Sequence, residues 1–376
     1  MSDMAARLRL ELADKIASEG WHDAVASVPR ERFLGGAVFL PDPARGDLWA
    51  PVRPTDKSEE DWLNLAYSNE TWVTQVAGTL AEDATGMVQG EPRSSSTAPG
   101  LVVRMLKAAQ ISEGDKVLEI GTGTGYSTSL MCRRLGSSAV TSIEYDPRVA
   151  ARARAAITDV GYEPHLVVGD GLYGYADNAE YDRLIGTCSV RTISPLWPQQ
   201  IRAGGTITVP ISGWMGEAAF AHLTVAGDGT ASGRFLRDDL YFMSARPHLP
   251  PPRPLLMSGI GQMRGARVDP AILQAGTALW MAQLAVPQAQ ISWGVDTTFL
   301  VDAGTGAHAD VVSDSGGGWI VHQHGPINLW DRVEEAILTW HKAGRPHQSG
   351  FGLSVGPEEQ RVWLGDPEGP SWNLPA

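Results

Sequence analysis

Lys116-Val117-Leu118-Glu119-Ile120-Gly121-Thr122-Gly123-Thr124-Gly125-Tyr126 decides how the rest of the chain is read. A short apolar run ends in glycines, and a helical stretch from Ser127 to Leu135 follows. Glycine there lets the backbone take positive φ and pass close to a ligand. The start of a helix offers free N–H groups to an anion. A tight glycine turn with no ligand looks the same in isolation, so context must decide. A dinucleotide dehydrogenase requires G-x-G-x-x-G. Here the spacing is G-x-G-x-G, with Glu119 two positions before the first glycine.

Working outward, Ala139–Ile143 reads as a second strand and Pro147–Val160 as a second helix. His165–Val168 is a third strand, Tyr181–Ile185 leads into a fourth, and Gly205–Val209 is a fifth. Strands alternating with helices at this spacing predict a parallel sheet covered on both faces. Glu144 ends the second strand, where a carboxylate can accept from both hydroxyls of a ribose. Asp170 ends the third, within reach of an adenine amino group. Taken singly, either is an ordinary surface cap. Together with the glycines they fit one adenosyl ligand across the carboxyl edge of the sheet.

The flanks are less regular. Residues 1–40 read as helix, turn, helix, with Leu8, Leu12 and Ile16 on one face and Pro29 forbidding a long helix. Residues 41–61 read as a loop or insertion, 84–100 as a Gly/Ser/Thr/Pro-rich loop, and 101–109 as a helix. After 212 the pattern changes. A strand is expected at 218–226, then an extended linker marked by Pro247, Pro250, Pro251, Pro252 and Pro254. An α+β module follows, with strands near 296–302, 318–323, 350–355 and 361–364 and a helix over 329–343.

The 376 residues carry 30 Lys and Arg against 43 Asp and Glu, a net charge of −13. So acidic a chain is a poor partner for nucleic acid or an anionic membrane surface. Cys132 and Cys188 make no disulfide framework, and no signal peptide or 18-residue apolar run is evident. A cytoplasmic monomer is expected. His322 and His324 share one face of a strand, but no third ligand is near, so no metal is expected.

The stretch V-L-E-I-G-T-G-T-G-Y at 117–126 resembles the S-adenosylmethionine motif of class I methyltransferases. More narrowly, residues 5–212 resemble the protein-L-isoaspartate O-methyltransferases. The likeness includes V-P-R-E-R-F at 28–33, A-Y-S-N-E at 66–70, S-S-S-T-A-P at 94–99, G-D-G at 169–171, Y-D-R-L-I at 181–185 and Q-I-R-A-G-G-T-I-T-V-P at 200–210. Asn69 stands where the family usually has Asp, and Thr97 where it has Ser. The chain is also much longer than the repair enzymes. L-W-D-R-V-E-E-A at 329–336 and F-G-L-S-V-G-P-E-E-Q-R-V-W-L at 351–364 are similar to the longer branch that accompanies ribosomally made peptides of the graspetide type.

The resemblance implies a Rossmann-like doubly wound α/β sheet with N-terminal helices and a C-terminal α+β module. It divides the chain into a helical and substrate-loop region (1–110), a cofactor-binding core (111–245) and a peptide-recognition module (246–376). S-adenosylmethionine is the implied methyl donor and S-adenosylhomocysteine the product. Its contacts are Glu119, Gly121, Thr122, Gly123, Gly125, Tyr126, Glu144, Tyr145, Asp170 and Gly171. Ser95, Ser96, Thr97 and Asn69 form the catalytic block, positioning the acceptor carboxylate. Arg191 and Cys188 are placed on the substrate side, Arg191 to steer a carboxylate and Cys188 as a small core residue rather than a nucleophile. The implied reaction methylates an aspartyl carboxylate of a macrocyclic ribosomal peptide, the ester then closing to an aspartimide. Its rivals are isoaspartate repair with an extra domain and a non-catalytic peptide escort.

Overall fold

The computed structural model describes residues 3–16, 20–237, 240–253, 255, 258–274 and 276–375. The chain forms two compact units, one of residues 1–188 and 196–208, the other of 189–195 and 209–376. The sequence reading drew its last boundary at 245. Pro254, part of the expected linker, lies outside the described residues.

In the first unit, helices α1 (Asp3–Ile16) and α2 (His22–Ser27) are followed by a 3-10 turn, Arg30–Phe33. The segment read as a loop or insertion is ordered. β1 (Val38–Pro41) and β2 (Leu48–Val52) form a hairpin, and α3 (Glu59–Ala66) begins with Ser58 accepting from the Asp61 amide. β3 (Trp72–Val76), β4 (Thr79–Leu80), β5 (Val88–Gln89) and β6 (Pro92–Ser96) complete a small antiparallel sheet. The Ser-rich stretch read as a loop is therefore a strand, β6, paired with β3 through Trp72↔Ser96 and Val73↔Ser95. Ladder hydrogen bonds to β3 override its weak intrinsic strand preference.

Helix α4 (Pro99–Ala108) leads into the parallel sheet. That sheet comprises β7 (Val117–Ile120), β8 (Val140–Glu144), β9 (His165–Val168), β10 (Tyr181–Gly186) and the first part of β11 (Ile201–Ser212), in the order β11-β10-β7-β8-β9. α5 (Tyr126–Leu135) and α6 (Pro147–Asp159) provide the crossovers. Val117, Leu118, Val140, Leu184 and Ile185 are wholly buried, as the unbroken apolar runs require. The order reverses at β7, so β7, β8 and β10 present their carboxyl ends where ligands bind in such sheets.

In the second unit, β12 (Ala218–Val225) and β13 (Ala231–Phe235) pair antiparallel, and β14 (Gln262–Gly265) is one edge of a separate five-stranded sheet. α7 (Gly276–Ala285) precedes β15 (Ala289–Gly294), β16 (Thr297–Asp302), β17 (His308–Ser313) and β18 (Trp319–His324), and α8 (Leu329–Lys342) follows them. β19 (Phe351–Val355), β20 (Gln360–Leu364) and β21 (Ser371–Asn373) extend the β12–β13 ladder through β13. Trp280 meets Phe235 and Phe351 edge-on, with ring centroids 5.0 and 4.9 Å apart. Trp330, Trp340 and Trp363 are buried, whereas Trp293 is half-exposed. No helix among the described residues is long and apolar enough to cross a membrane.

Candidate functional site

The glycine turn lies between β7 and α5, with φ of +99° at Gly121, +56° at Gly123 and +89° at Gly125. Side chains are strained at all three. The Gly121 and Thr122 amides donate to Ile143 O at 2.8 and 3.1 Å, tying the turn to β8. A Cβ at Gly121 would meet Thr187 Oγ1 at 2.6 Å, and one at Gly125 would meet Ile157 at 2.8 Å. At Gly123 the nearest atom to such a Cβ is Ser95 O, 3.8 Å away. The middle glycine thus has room for a Cβ in ordinary contact with the backbone of the Ser-rich strand, and with Thr124 and Ser94 it lines a cavity.

Glu144, at the end of β8, accepts from the Gly123 amide at 2.8 Å and from the Asp146 amide at 3.0 Å. Asp170 caps a short turn, Gly171–Tyr173, by accepting from the Leu172 amide at 2.9 Å. Tyr145 is exposed beside Glu144, and Gly171 leaves no room for a Cβ, which would meet Ile120 at 2.5 Å. Trp197 Nε1 donates to Gly171 O at 2.9 Å, and Gln200 holds Tyr173 and Tyr175, so the third strand end is braced from behind.

Two expected cofactor contacts, Glu119 and Tyr126, are buried. Glu119 is wholly buried, and its carboxylate accepts from Ser127 and Thr128 at 2.5 Å and from Ser142 at 2.7 Å. It joins β7, α5 and β8 behind the turn and touches no open space. Burial pushes its carboxyl up to about 7, against the pull of the three hydroxyls. Tyr126 is also buried, its ring edge-on to Phe33 with centroids 5.7 Å apart, and its hydroxyl has no partner among the described residues. Thr122, likewise buried, shares a 2.6 Å hydrogen bond with Ser142 and supports the turn through its amide and hydroxyl.

The catalytic block divides by strand alternation. Ser94 and Ser96 are buried, Ser94 lining a cavity with Gly123, while Ser95 and, just past the strand, Thr97 are partly exposed. Ser96 Oγ has no partner, so its expected role in holding a carboxylate is not supported by its direction. Asn69 accepts from the Gly100 amide at 2.7 Å. It caps the first turn of α4, a task that needs an acceptor and no charge. Asn for Asp is therefore conservative here.

Cys188 donates weakly to Ile120 O at 3.7 Å, and burial together with Glu144, Asp170 and Glu119 pushes its thiol up to about 12. It is no nucleophile at neutral pH. Arg191 belongs to the second unit, where it stacks on Trp214 at 3.7 Å and donates to Pro287 O and Gln288 Oε1. That guanidinium is engaged by partners within its own unit. His322 pairs with Asp310 at 3.0 Å, and no group of three or more His, Cys, Asp or Glu among the described residues is arranged to hold a metal.

A glycine turn with one open side, backed by Glu144 and flanked by Asp170 and Gly171, fits an adenosyl cofactor on the carboxyl edge. Fold and site together define a class I methyltransferase. The protein-L-isoaspartate(D-aspartate) O-methyltransferase model matches residues 68–242. The chain is 35% identical over 144 residues to a protein-L-isoaspartate O-methyltransferase of Ignicoccus hospitalis, covering 38% of this chain and 68% of that one. It is 34% identical over 157 residues to one of Anaeromyxobacter dehalogenans, covering 41% and 72%. For one of Archaeoglobus fulgidus the figures are 38% over 117 residues, covering 31% and 53%. A solved structure titled protein-L-isoaspartate O-methyltransferase is similar in fold over 96% of this chain and 99% of its own, with a TM-score of 0.56 at 20% identity.

The chain belongs to the protein-L-isoaspartate O-methyltransferase family. It is an S-adenosylmethionine-dependent carboxyl O-methyltransferase.

Proposed function

We propose that the protein methylates the carboxylate of isoaspartyl residues in polypeptides. The observation that carries this reading is the strand β6 set against Gly123, whose cavity Ser94 also lines, with Ser95 and Thr97 beside it partly exposed. Bound S-adenosylmethionine supplies an electrophilic methyl group on a sulfonium. The acceptor carboxylate is already ionised at neutral pH, so no general base is required. The chain's task is alignment and exclusion of water, which together are worth roughly 7–11 kcal/mol. Gly121, Gly123, Glu144, Tyr145, Asp170 and Gly171 hold the cofactor, and Ser95 and Thr97 orient the acceptor. Asn69 keeps α4 and the strand end in register with each other.

A second reading is methylation of an aspartyl residue in a macrocyclic ribosomal peptide, the ester closing to an aspartimide. Exposed apolar residues in the second unit, Trp293 and Val295, favour it as a recognition surface. The test is transfer of labelled methyl from S-adenosylmethionine to three synthetic peptides: one isoaspartyl, its aspartyl isomer, and a cyclised aspartyl peptide. Base-labile label on the isoaspartyl peptide is the expected result. Label on the cyclic peptide alone would replace the first reading with the second, and label on none would refute both.

A further inference from the structure

Arg30 opens the 3-10 turn after Pro29, and its side chain is wholly buried. Its Nη1 donates to Ala66 O at 2.8 Å and Ser68 O at 2.6 Å. Its Nη2 donates to Glu70 O at 2.7 Å and to Ser96 O and Thr97 O at 3.3 Å. All five acceptors are neutral carbonyls. Three belong to the segment that closes α3 and carries Asn69, and two to the end of the Ser/Thr block. Among the described residues none of its hydrogen-bond acceptors is a carboxylate, and Nε has no partner. Tyr126, Tyr67 and Glu70 act on it electrostatically at longer range. Burial lowers its pKa to about 10, which leaves it charged at neutral pH.

A buried cation with no carboxylate bonded to it is costly, and neutral donors would tie two segments together at lower cost. The charge itself therefore calls for a use. It lies directly behind Ser96 and Thr97, whose strand presents Ser95 and Thr97 to the acceptor.

We propose that Arg30 is a positioning residue with two separable actions: its planar fork fixes the end of the Ser/Thr block, and its buried positive charge attracts the acceptor carboxylate to that block. The proposal rests on the carboxyl-methylation reading above. The acceptor is anionic when it binds and neutral once esterified. A fixed positive charge therefore favours the bound acceptor over the transition state, so its removal should weaken binding and not slow the bound step. The fork governs alignment, so its removal should slow the step.

The test compares Arg30→Lys and Arg30→Met in the full chain. The probes are an isoaspartyl hexapeptide and its neutral isoasparaginyl analogue. Peptide affinity is measured calorimetrically without cofactor, and kcat and KM with it. In Arg30→Met, affinity for the isoaspartyl peptide should fall about tenfold or more, while the neutral analogue changes less than about twofold. Arg30→Lys should keep the preference for the charged peptide. Both variants should lose kcat by a similar factor, about tenfold, because neither can span five carbonyls. Equal losses for charged and neutral peptides in Arg30→Met, or a raised KM in Arg30→Lys, would reduce Arg30 to a structural brace and overturn the proposal. Should Arg30→Met fail to fold, Arg30→Lys decides: full affinity with low kcat supports the proposal, and lost affinity overturns it. A wild type that methylates no peptide removes the parent reading and this one with it. A wild type that methylates the isoaspartyl peptide while the variants break the pattern removes only the role of Arg30.

Discussion

Replacing Glu119 by Gln removes one ionisable proton from the centre of the first unit and little else. In the folded protein this carboxyl is pushed from the ordinary 4.5 up to about 7, chiefly by burial. Between those two values the folded chain holds a proton that the unfolded chain has released. Stability therefore falls as pH rises through the window; the contribution is fully present below about 4.5 and lost above about 7. At about 1.4 kcal/mol per unit, the loss across the window is about 3 kcal/mol. Glu119→Gln stays neutral throughout and cannot lose it. The amide still accepts from one or two of Ser127, Thr128 and Ser142, and the displaced hydroxyl costs about 1 kcal/mol. The variant should be slightly less stable than wild type at pH 5 and about 2 kcal/mol more stable at pH 8. Amide exchange of the Val117–Ile120 strand, corrected for intrinsic rates, reads this locally without requiring the two units to unfold together. A wild-type-minus-variant difference that stays flat from pH 4.5 to 8 would show that Glu119 is ionised in the folded protein, and the argument would fail.

Glu144→Ala should weaken binding of S-adenosylhomocysteine at least about tenfold by calorimetry, since charge-assisted hydrogen bonds are worth about 1.5–3 kcal/mol. Gly125→Ala adds a Cβ 2.8 Å from Ile157 at a φ of +89°, and thermal or urea unfolding should show a loss of about 2–4 kcal/mol. Adding Ile157→Val should recover part of that loss. Cys188 should resist iodoacetamide at pH 8 in the folded chain and react once urea unfolds it, because its thiol is held near 12; rapid alkylation without denaturant would contradict that raised value.

The cofactor edge was legible because its determinants are local. A strand, a glycine turn and an acidic strand end fall within a few residues of each other, and the periods of strand and helix are strong there. Glu119 shows where local reading stops: its position beside the glycines suggested a ligand contact, while its three partners arrive from α5 and β8. Arg30 was visible only as part of V-P-R-E-R-F. Its five acceptors lie 36 to 67 residues away and are backbone atoms, which carry no residue-type signal. β6 was missed for a related reason, because a Ser-rich strand is defined by its partner and not by its own composition. In the second unit, β14, β15 and β17 also escaped the reading, whereas α8, with a clear apolar stripe, was placed within a residue. Arg191 escaped because its stacking on Trp214 and its carbonyl partners again come from distant segments.

The alternation along β6 has a consequence for how this protein can drift. Its register against β3 already absorbs two irregularities, at Val73/Gln75 and Gln75/Val76. The side chains at 95 and 97 face outward only because the count from Pro92 is kept. Exchanging Ser for Thr there keeps the hydroxyl and the face, and such changes are tolerable. Deleting one residue would turn Ser94 and Ser96 outward and bury their neighbours, dismantling the acceptor face in a single step. This segment can thus exchange one hydroxyl residue for another but change its length hardly at all.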